Sequence, residues 1–386
     1  MNSRIYTITS PLHNEEAVAD VSRTFLDSLG IAYDLRGNDF ADYGSGPLDL
    51  IFVRTGGTEG IFTELLPRLL AQAKERRRRL RPFRLLASGQ SNSLAASMEI
   101  LSYLRQQGLR GEILHGSAAT VSQRIRLLAQ ATEAREKLRG CRLGIIGKPS
   151  DWLISSTYDL ESVRQKLGVE LVEVDIEELL SNVSGTGDAS DQIETALRQV
   201  VSSHRLQGFT LRCFDLLPTL HYTGCMALAR LNADGLVAGC EGDVPALLSM
   251  MIVRAAVGVS GFQANPARID TEQGEVLMAH CTIPLDMVEH YETDTHFESG
   301  IGIAVRGRMK EGPVTLFKTA GDLSRHFVAE GMLQRNLAEP GLCRTQQLIR
   351  LADKTQAAYF LTEPIGNHHI VAPGHIASLI EEILNV

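Results

Sequence analysis

The sequence predicts a mixed α/β fold in which two α/β segments are followed by a β-rich segment. Short apolar runs of strand length alternate with helix-length segments as far as residue 254. Two neighbouring predicted strands in this part end in acidic residues. Beyond residue 255, short β-like runs are broken up by glycine and proline, as in a small antiparallel barrel or sandwich. A chain of 386 residues can form two or three domains, which we expect at 1–138, 139–254 and 255–386.

The first segment is predicted to contain parallel strands with helices between them. The strands are expected at Arg4–Thr9, Leu48–Arg54, Arg84–Ala87 and Gly111–His115. The second and third run into polar loops, and open α/β sheets bind ligands outside such strand ends. Gln90 and Asn92, in the later loop, are therefore candidate substrate-binding residues, although the glycines of both loops also suit simple tight turns. Neither loop matches a Walker or dinucleotide fingerprint, so we expect no nucleotide cofactor.

The second segment opens after a charged helix, Glu133–Arg139, which Gly140 is predicted to cap. Strands are expected at Cys141–Gly147 and Leu171–Asp175, and a surface loop at Ser181–Ser190. Trp152, the only tryptophan, lies in the loop after the first of these strands. Its indole either stacks on a sugar ring, as a substrate-binding residue, or packs against the protein.

Two acidic residues are predicted to lie side by side at the ends of adjacent strands. The pattern indicates a strand, a crossover helix and a parallel strand at Gly208–Asp215, Thr219–Asn232 and Leu236–Glu241. Asp215 and Glu241, with Asp243 just beyond, would then be near neighbours. Like charges that close require a shared proton or a cation. The alternative is that the acids face water separately or cap the helices that follow.

The third segment carries most of the histidines. Its strands are predicted at Val276–Ile283, Ile301–Arg306, Val314–Thr319 and Ala357–Leu361. His280 lies on the first strand, whereas His368, His369 and His375 fall within ten residues on a loop bounded by glycine and proline. A single histidine is usually structural, but this grouping favours a ligand or acid–base role. Imidazole and carboxylate together suit a divalent transition metal such as manganese.

Composition narrows the classes of partner and location. A net charge of −8 argues against a broad nucleic-acid surface, and the apolar runs are too short to span a membrane. Six scattered cysteines without a CxxC pair indicate reduced thiols in the cytoplasm, and the N-terminus resembles a first strand and not a signal peptide. The basic run Lys74–Arg84 is predicted to close a helix or to contact another subunit, with a phosphate site as the alternative.

Several motifs together resemble the L-fucose/L-arabinose isomerase family. They are Cys213-Phe-Asp215, Gly224-Cys225, Asn232-Ala-Asp-Gly235, Ala238-Gly-Cys-Glu-Gly-Asp-Val244, Ala279-His-Cys281 and Gly366-Asn-His-His-Ile-Val371. They occur in the family's order over residues 208 to 375. The first 200 residues resemble the family by architecture only.

This resemblance implies two Rossmann-like α/β domains followed by a C-terminal, mostly-β, barrel-like domain. It also implies a manganese-dependent aldose–ketose isomerase acting on a pentose, a 6-deoxyhexose or a related sugar. Such an enzyme is a homo-trimer or homo-hexamer in which a neighbouring subunit's N-terminal domain helps form the sugar pocket. The loops Gly56–Glu59 and Gln90–Ser93 are candidate contributors to that pocket.

The resemblance also assigns residue roles. Asp215 falls at the family's metal-binding catalytic glutamate, and Glu241 with Asp243 covers a second ligand position. His368 or His369 falls at the C-terminal histidine ligand, and His280 is placed with the substrate. We therefore expect Asp215 and Glu241 to act as the acid and base.

Two departures from the family pattern keep alternatives open. Asp215 is one methylene shorter than the expected glutamate, and Arg268-Ile-Asp270 stands where arabinose isomerases have a further histidine ligand. One alternative is a catalytically silent sugar-binding or regulatory member of the family. The other is a different metal-dependent sugar enzyme on the same scaffold, such as an epimerase.

Overall fold

A computed structural model of the chain describes residues 3–76 and 81–385. It contains two compact units, one formed by Met1–Glu133 with Glu381–Val386 and the other by Ala134–Ile380. The predicted three-domain division, with boundaries near residues 138 and 254, stays a prediction. Part of the basic run predicted to close a helix, residues 77–80, lies outside the described residues.

The first unit contains a five-stranded parallel sheet in the order β2-β1-β3-β4-β5. Its strands are β1 (Ser3–Ile8), β2 (Tyr33–Gly37), β3 (Asp49–Val53), β4 (Phe83–Ala87) and β5 (Gly111–Leu114). The helices that follow these strands are α1 (Glu15–Ser28), α2 (Glu59–Glu75), α3 (Ser93–Gln106) and α4 (Ala118–Leu138), which extends past the unit's boundary. The four predicted strands are confirmed within a residue or two. β2 was not predicted, because this edge strand is largely exposed and lacks an apolar run.

The second unit begins with a four-stranded parallel sheet in the order β7-β6-β8-β9. Its strands are β6 (Arg142–Ile146), β7 (Glu170–Val174), β8 (Gly208–Leu211) and β9 (Val237–Cys240). The helices are α5 (Leu160–Leu167), α6 (Ile176–Asn182), α7 (Ala189–His204), α8 (Leu216–Leu220), α9 (Cys225–Ala233) and α10 (Val244–Val257). The predicted parallel pairing of the two acid-bearing strands is confirmed, with Leu211 opposite Cys240.

Two details of that pair differ from the prediction. The first strand ends at Leu211, and Asp215 lies beyond it in a 3₁₀ turn, Cys213–Asp215. The predicted helix Thr219–Asn232 is two helices, because His221 adopts a left-handed conformation that ends α8. The apolar spacing continues across the break since Leu220 and Tyr222 both pack on the same core.

A closed six-stranded antiparallel barrel makes up most of the remaining second unit, in the order β10-β11-β16-β15-β14-β17. Its strands are β10 (Phe262–Asp270), β11 (Glu275–His280), β14 (Gly312–Thr319), β15 (His326–Leu337), β16 (Thr345–Leu351) and β17 (His369–Pro373). A separate hairpin is formed by β12 (His290–Asp294) and β13 (Ala304–Arg308). The short helices α11 (Tyr359–Thr362) and α12 (Ala377–Leu384) complete the chain. The barrel confirms the predicted β-rich C-terminal segment.

One predicted strand in this segment, Ala357–Leu361, is wrong. The chain there forms a 3₁₀ helix, Lys354–Ala358, followed directly by α11. Asp353 caps the 3₁₀ helix by accepting a hydrogen bond from the backbone N–H of Thr355, and the ring of Tyr359 stacks on Phe327. The apolar run therefore marks a packed helical turn. Among the helices of residues 3–76 and 81–385, none has the length and apolar character needed to cross a membrane.

Candidate metal centre

Glu241 is held in a constrained backbone position directly after β9. Its φ angle is 64°, in the left-handed region that side chains other than glycine seldom adopt. The Glu241 carbonyl accepts a hydrogen bond from the Ser150 N–H at 3.0 Å, and the next amide, Gly242, donates to Leu211 at 2.9 Å. A Cβ on Gly242 would lie 2.5 Å from the carbonyl oxygen of Lys148. The tight approach of the loop at 148–150 therefore requires glycine at 242 and fixes the direction of the Glu241 side chain.

Three buried side chains converge at this point: Glu241, His280 at the end of β11, and His368 just before β17. One nitrogen or oxygen atom from each lies within 4.8 Å of the other two. The Nε2 atoms of both histidines are 3.4 Å from Oε1 of Glu241. Exposed fractions are 8% for Glu241, 5% for His280 and 0% for His368, so water screens these groups little.

Each histidine is held through its other ring nitrogen. His368 Nδ1 lies 2.8 Å from Oδ2 of Asp243, and since that carboxylate can only accept, Nδ1 carries the proton. His280 Nδ1 is 3.1 Å from the hydroxyl of Thr282. His368 Nε2 is buried and has no hydrogen-bond partner among the described residues. The facing oxygen, Oε1 of Glu241, lies 3.4 Å away, which is longer than an ordinary hydrogen bond, so an ion bound between the two atoms would complete the site.

The electrostatics of the centre favour a positive charge among its carboxylates. Burial alone would raise the pKa of Glu241, but the charge of His368 and the contacts with His280 hold it far below its usual range. Burial would lower the pKa of His368, yet the carboxylates of Glu241 and Asp243 raise it to about 9. Without a metal, His368 therefore carries a second proton, on Nε2, and is positively charged at neutral pH. A metal ion bound there would displace that proton.

Trp152 forms one side of the centre. Its indole Nε1–H donates to Oε2 of Glu241 at 2.7 Å, while 51% of the residue is exposed. The ring meets Phe214 edge-on at 4.8 Å, and Phe214 meets His296 in the same way at 5.5 Å. The sequence left open whether Trp152 packs or stacks on a sugar. The structure shows that it orients Glu241 and still presents open aromatic surface.

Asp215 does not belong to the three-residue cluster. Both of its oxygens lie 2.9 Å from Nε of Arg212, whose guanidinium also contacts Asp151 and the carbonyl of Pro149. Its side chain is 38% exposed. Asp215 thus lies on the turn after β8, the strand that pairs with β9, and is held there by Arg212.

Asp243 contributes no atom to the cluster either. It caps α10 by accepting from the backbone N–H of Ala246 at 2.8 Å, and it binds Lys318 as well as His368. Burial alone would raise the pKa of Asp243, but the charge of Lys318 together with the contacts from His368 and Ala246 keeps it far below its usual range. Asp243 supports a candidate ligand and is not itself one of the three.

The two adjacent C-terminal histidines point to different surroundings. His369 Nε2 is 3.0 Å from the hydroxyl of Tyr359, and its Nδ1 is 3.0 Å from the carbonyl of Asn367. Aromatic rings, including Phe360 at 4.9 Å, surround it, and burial lowers its pKa to about 3. His369 is therefore a neutral core residue, and His368 is the one in the cluster.

Gln90 and Asn92 lie in the first unit, on the exposed loop before α3. Ser91 and Asn92 both adopt left-handed conformations, with φ of 52° and 56°. The Ser91 carbonyl accepts a hydrogen bond from Gly56 at 2.7 Å, and a Cβ on Gly56 would lie 2.9 Å from Cβ of Asn92. These contacts hold Ser91 and Asn92 in a strained turn that packs against the loop at Gly56. A role for either side chain in substrate binding stays a prediction.

Lys318 is the buried group that the sequence analysis missed. It lies on β14, where alternation places it on the same face as Val314 and Leu316, two residues of the barrel core. A lysine in such an inward position requires a buried partner. That alternation was the available signal, but it could not identify Asp243, which precedes it by 75 residues.

The donors present fit a divalent transition metal. Two imidazole nitrogens and one carboxylate oxygen are a common set of ligands for such ions. The Nε2 atom of His368, which makes no hydrogen bond to the described residues, could bind the ion once it is deprotonated. The carboxylate behind His368 is the usual outer partner of a metal-bound histidine, and the Thr282 hydroxyl holds the ring of His280. The group suits a bound cation better than a purely structural role.

The chain is similar to curated proteins named sulfoquinovose isomerase. It is 23% identical over 262 residues to those of Priestia aryabhattai and Priestia megaterium, and 21% identical to that of Alkalicoccus urumqiensis. Each match covers 59% of this chain and 59% of the relative, so the chain spans about three fifths of the length of these relatives. No family model matches the chain. These relatives are sugar isomerases by name, and the resemblance to fucose and arabinose isomerases stays a prediction.

Proposed function

We propose that this protein is a metal-dependent aldose–ketose isomerase. The observation that carries the proposal is the buried cluster of Glu241, His280 and His368, in which the Nε2 atom of His368 makes no hydrogen bond to the described residues and faces a carboxylate oxygen at 3.4 Å. The similarity to sulfoquinovose isomerases supports the same reaction class.

Glu241, His280 and His368 would hold the ion, which we propose to be Mn²⁺ in keeping with the family resemblance. Such an ion, when bound, polarises a sugar carbonyl and stabilises the negative charge that develops on its oxygens. The chain's own groups prepare the site. Burial keeps bulk water away from the three ligands, and Trp152 fixes one oxygen of Glu241.

The open face of Trp152 is suited to sugar binding. Aromatic side chains present an apolar surface, and the indole N–H is already used by Glu241. Phe214 and His296 extend the same wall. A sugar lying against this wall would place its polar carbonyl end toward the buried cluster.

Isomerisation requires a proton to leave C2 of the aldose and to return at C1 of the ketose, while another proton moves between the two oxygens. We propose Asp215 for the carbon proton, with Glu241 aiding the oxygen proton from its place in the cluster. Supporting evidence for Asp215 is its position on the turn after β8, since β8 pairs with the strand that leads to Glu241. Arg212 would release or reorient Asp215 when the sugar binds.

Sulfoquinovose is the first substrate to test, because the named relatives act on it according to their names. This sugar is a glucose whose terminal hydroxyl is replaced by a sulfonate. A pentose or a 6-deoxyhexose remains a second class, from the motif resemblance. Assembly as a trimer or hexamer and a cytoplasmic location belong to the same proposal.

The ion pair between Arg212 and Asp215 favours one alternative, a protein that binds a sugar without converting it. If that ion pair persists with a sugar bound, the chain has no base on this turn and acts as a sugar-binding or regulatory protein. Both readings predict sugar and metal binding. Only the isomerase reading predicts turnover.

NMR detection of new sugar species, with Mn²⁺ and a panel of aldoses including sulfoquinovose, tests the proposal. We expect a ketose to form with wild type, and Asp215→Asn to lower the rate on the order of 10²-fold or more. Asp151→Asn is the matched control, because Asp151 also pairs with Arg212 but lies on an exposed loop. No turnover of any sugar, together with a melting temperature raised by one of them, would establish the binding-protein reading instead.

A further inference from the structure

A buried ion pair lies immediately behind the candidate metal centre. Lys318 on β14 is 1% exposed and Asp243 at the start of α10 is 0% exposed. The Lys318 Nζ is 3.2 Å and 3.3 Å from the two oxygens of Asp243. Among the described residues, Asp243 is the hydrogen-bond partner of this ammonium group. The pair thus joins a barrel strand to the helix that follows Glu241.

Asp243 is fully occupied by donors. Its Oδ1 accepts from the backbone N–H of Ala246 at 2.8 Å, and its Oδ2 accepts from His368 Nδ1 at 2.8 Å. Lys318 donates to both oxygens. For Asp243 to turn toward Glu241 and act as a ligand, all of these contacts would have to break. The carboxylate is therefore fixed behind His368.

Stability alone is a weak reason for such a pair. Taking two charges out of water costs several kcal/mol per ion, and apolar replacements of a buried pair are often neutral or stabilising. The pair does, however, determine something that apolar side chains cannot. An ionised, immobile carboxylate at this position fixes both the ring orientation of His368 and the proton on its Nδ1.

We propose that Lys318 and Asp243 are positioning residues that hold His368 with its Nε2 aimed at a bound metal ion. This inference rests on the metal site of the proposed function. Lys318 acts through Asp243, by holding the carboxylate in one orientation and balancing its charge. Asp243 acts through His368, whose Nε2 faces Oε1 of Glu241 at 3.4 Å. Neither residue touches the ion or the sugar.

The test uses the full chain and Mn²⁺ alone. Trp152 is the only tryptophan and is hydrogen-bonded to Glu241, so paramagnetic quenching of its fluorescence reports binding at this site. Loss of an outer partner of a metal-bound histidine typically weakens metal affinity about 10- to 100-fold. We expect a loss of that size for Lys318→Met, which keeps the apolar stem. Lys166→Met is the matched control, since Lys166 lies on α5 and donates to the carbonyl of Asp322, which is not part of the cluster.

A spectroscopic measurement separates positioning from loss of structure. Pulsed EPR of bound Mn²⁺ counts coordinated histidine nitrogens, and we expect two in wild type and one in Lys318→Met. If Lys318 acts only through Asp243, the double variant Asp243→Asn/Lys318→Met will bind Mn²⁺ no more weakly than Asp243→Asn. The double variant also serves if the single lysine variant does not fold, because it leaves no unpaired charge in the core. In that case we expect the double variant to fold, to bind Mn²⁺ more weakly than wild type and to coordinate it through one histidine.

Three results would overturn the proposal. The first is that Lys318→Met or the double variant binds Mn²⁺ with wild-type affinity and two histidines. The second is that Lys166→Met loses as much Mn²⁺ affinity as Lys318→Met. The third is that adding Lys318→Met to Asp243→Asn weakens Mn²⁺ binding further. In each of these, wild type still binds Mn²⁺ and the proposed function stands. If wild type binds no Mn²⁺, the metal site of the proposed function is refuted and the positioning role with it.

Discussion

The metal-free protein should lose stability as the pH rises from about neutral into the alkaline range. The perturbed group is His368, whose ring lies between Glu241 and Asp243 in the folded chain. These carboxylates raise its pKa to about 9, from an ordinary value of 6.5, although burial opposes the shift. Because the folded pKa is the higher one, the stabilising contribution is fully present below pH 6.5 and is lost as the pH rises through 9.

The size of this contribution follows from the two pKa values. One pKa unit is worth about 1.4 kcal/mol, so the gap between 6.5 and about 9 corresponds to about 3 kcal/mol. Cys281 acts in the opposite direction, because a hydrogen bond from Cys343 lowers its pKa to about 6. Its contribution grows with pH over the same interval. Because His368→Gln keeps Cys281, the difference in free energy of unfolding between wild type and this variant cancels the contribution of Cys281.

Urea unfolding of EDTA-treated wild type and His368→Gln, from about pH 6 to about pH 10, is the assay. Glutamine carries no charge at any pH, so the difference in free energy of unfolding isolates the imidazolium. We expect wild type to be the more stable at low pH, and its advantage to shrink by about 3 kcal/mol across this range. A difference that stays flat, or that grows with pH, would refute the proposed charge balance in the centre.

Four further results are expected. Glu241→Gln should weaken Mn²⁺ binding by at least 10-fold in calorimetry, and equal affinity would remove it from the ligand set. Trp152→Phe should weaken Mn²⁺ binding by about 10-fold, because Glu241 loses the donor that orients it; unchanged affinity would make the contact incidental. Gly242→Ala should lower the free energy of unfolding by ~1–3 kcal/mol more than Gly258→Ala, a control with a similar φ and open space; equal losses would deny the close loop contact. Light scattering at micromolar concentration should show a trimer or hexamer, and a monomer would contradict the shared pocket.

The sequence was most informative about elements with buried, regular backbones. The strands β8 and β9 could be predicted because each is a short apolar run, and their parallel pairing follows from the helix-forming segment between them. The position of Asp215 could not be predicted in the same way. The chain leaves the strand at Leu211 and turns, and Arg212, only three residues before Asp215, holds the acid there.

The site depended on contacts between segments far apart in the chain. Histidine spacing and the motif resemblance predicted that His368 or His369 would matter, but the choice between them depends on Tyr359 and Asp243. His280 was predicted to bind substrate, whereas its Nε2 faces Glu241 beside His368. Such partners come from separate elements, namely the end of β9, the start of α10, β11 and α11, and the sequence did not predict how these elements come together.

Anomalous X-ray scattering at the manganese edge, from crystals grown with Mn²⁺, would locate the ion itself. We expect one peak enclosed by Oε1 of Glu241 and the Nε2 atoms of His280 and His368, with Asp243 still bound to Lys318 behind it. A peak ligated by Asp215 or Asp243 in place of His280, or no peak at this position, would contradict it.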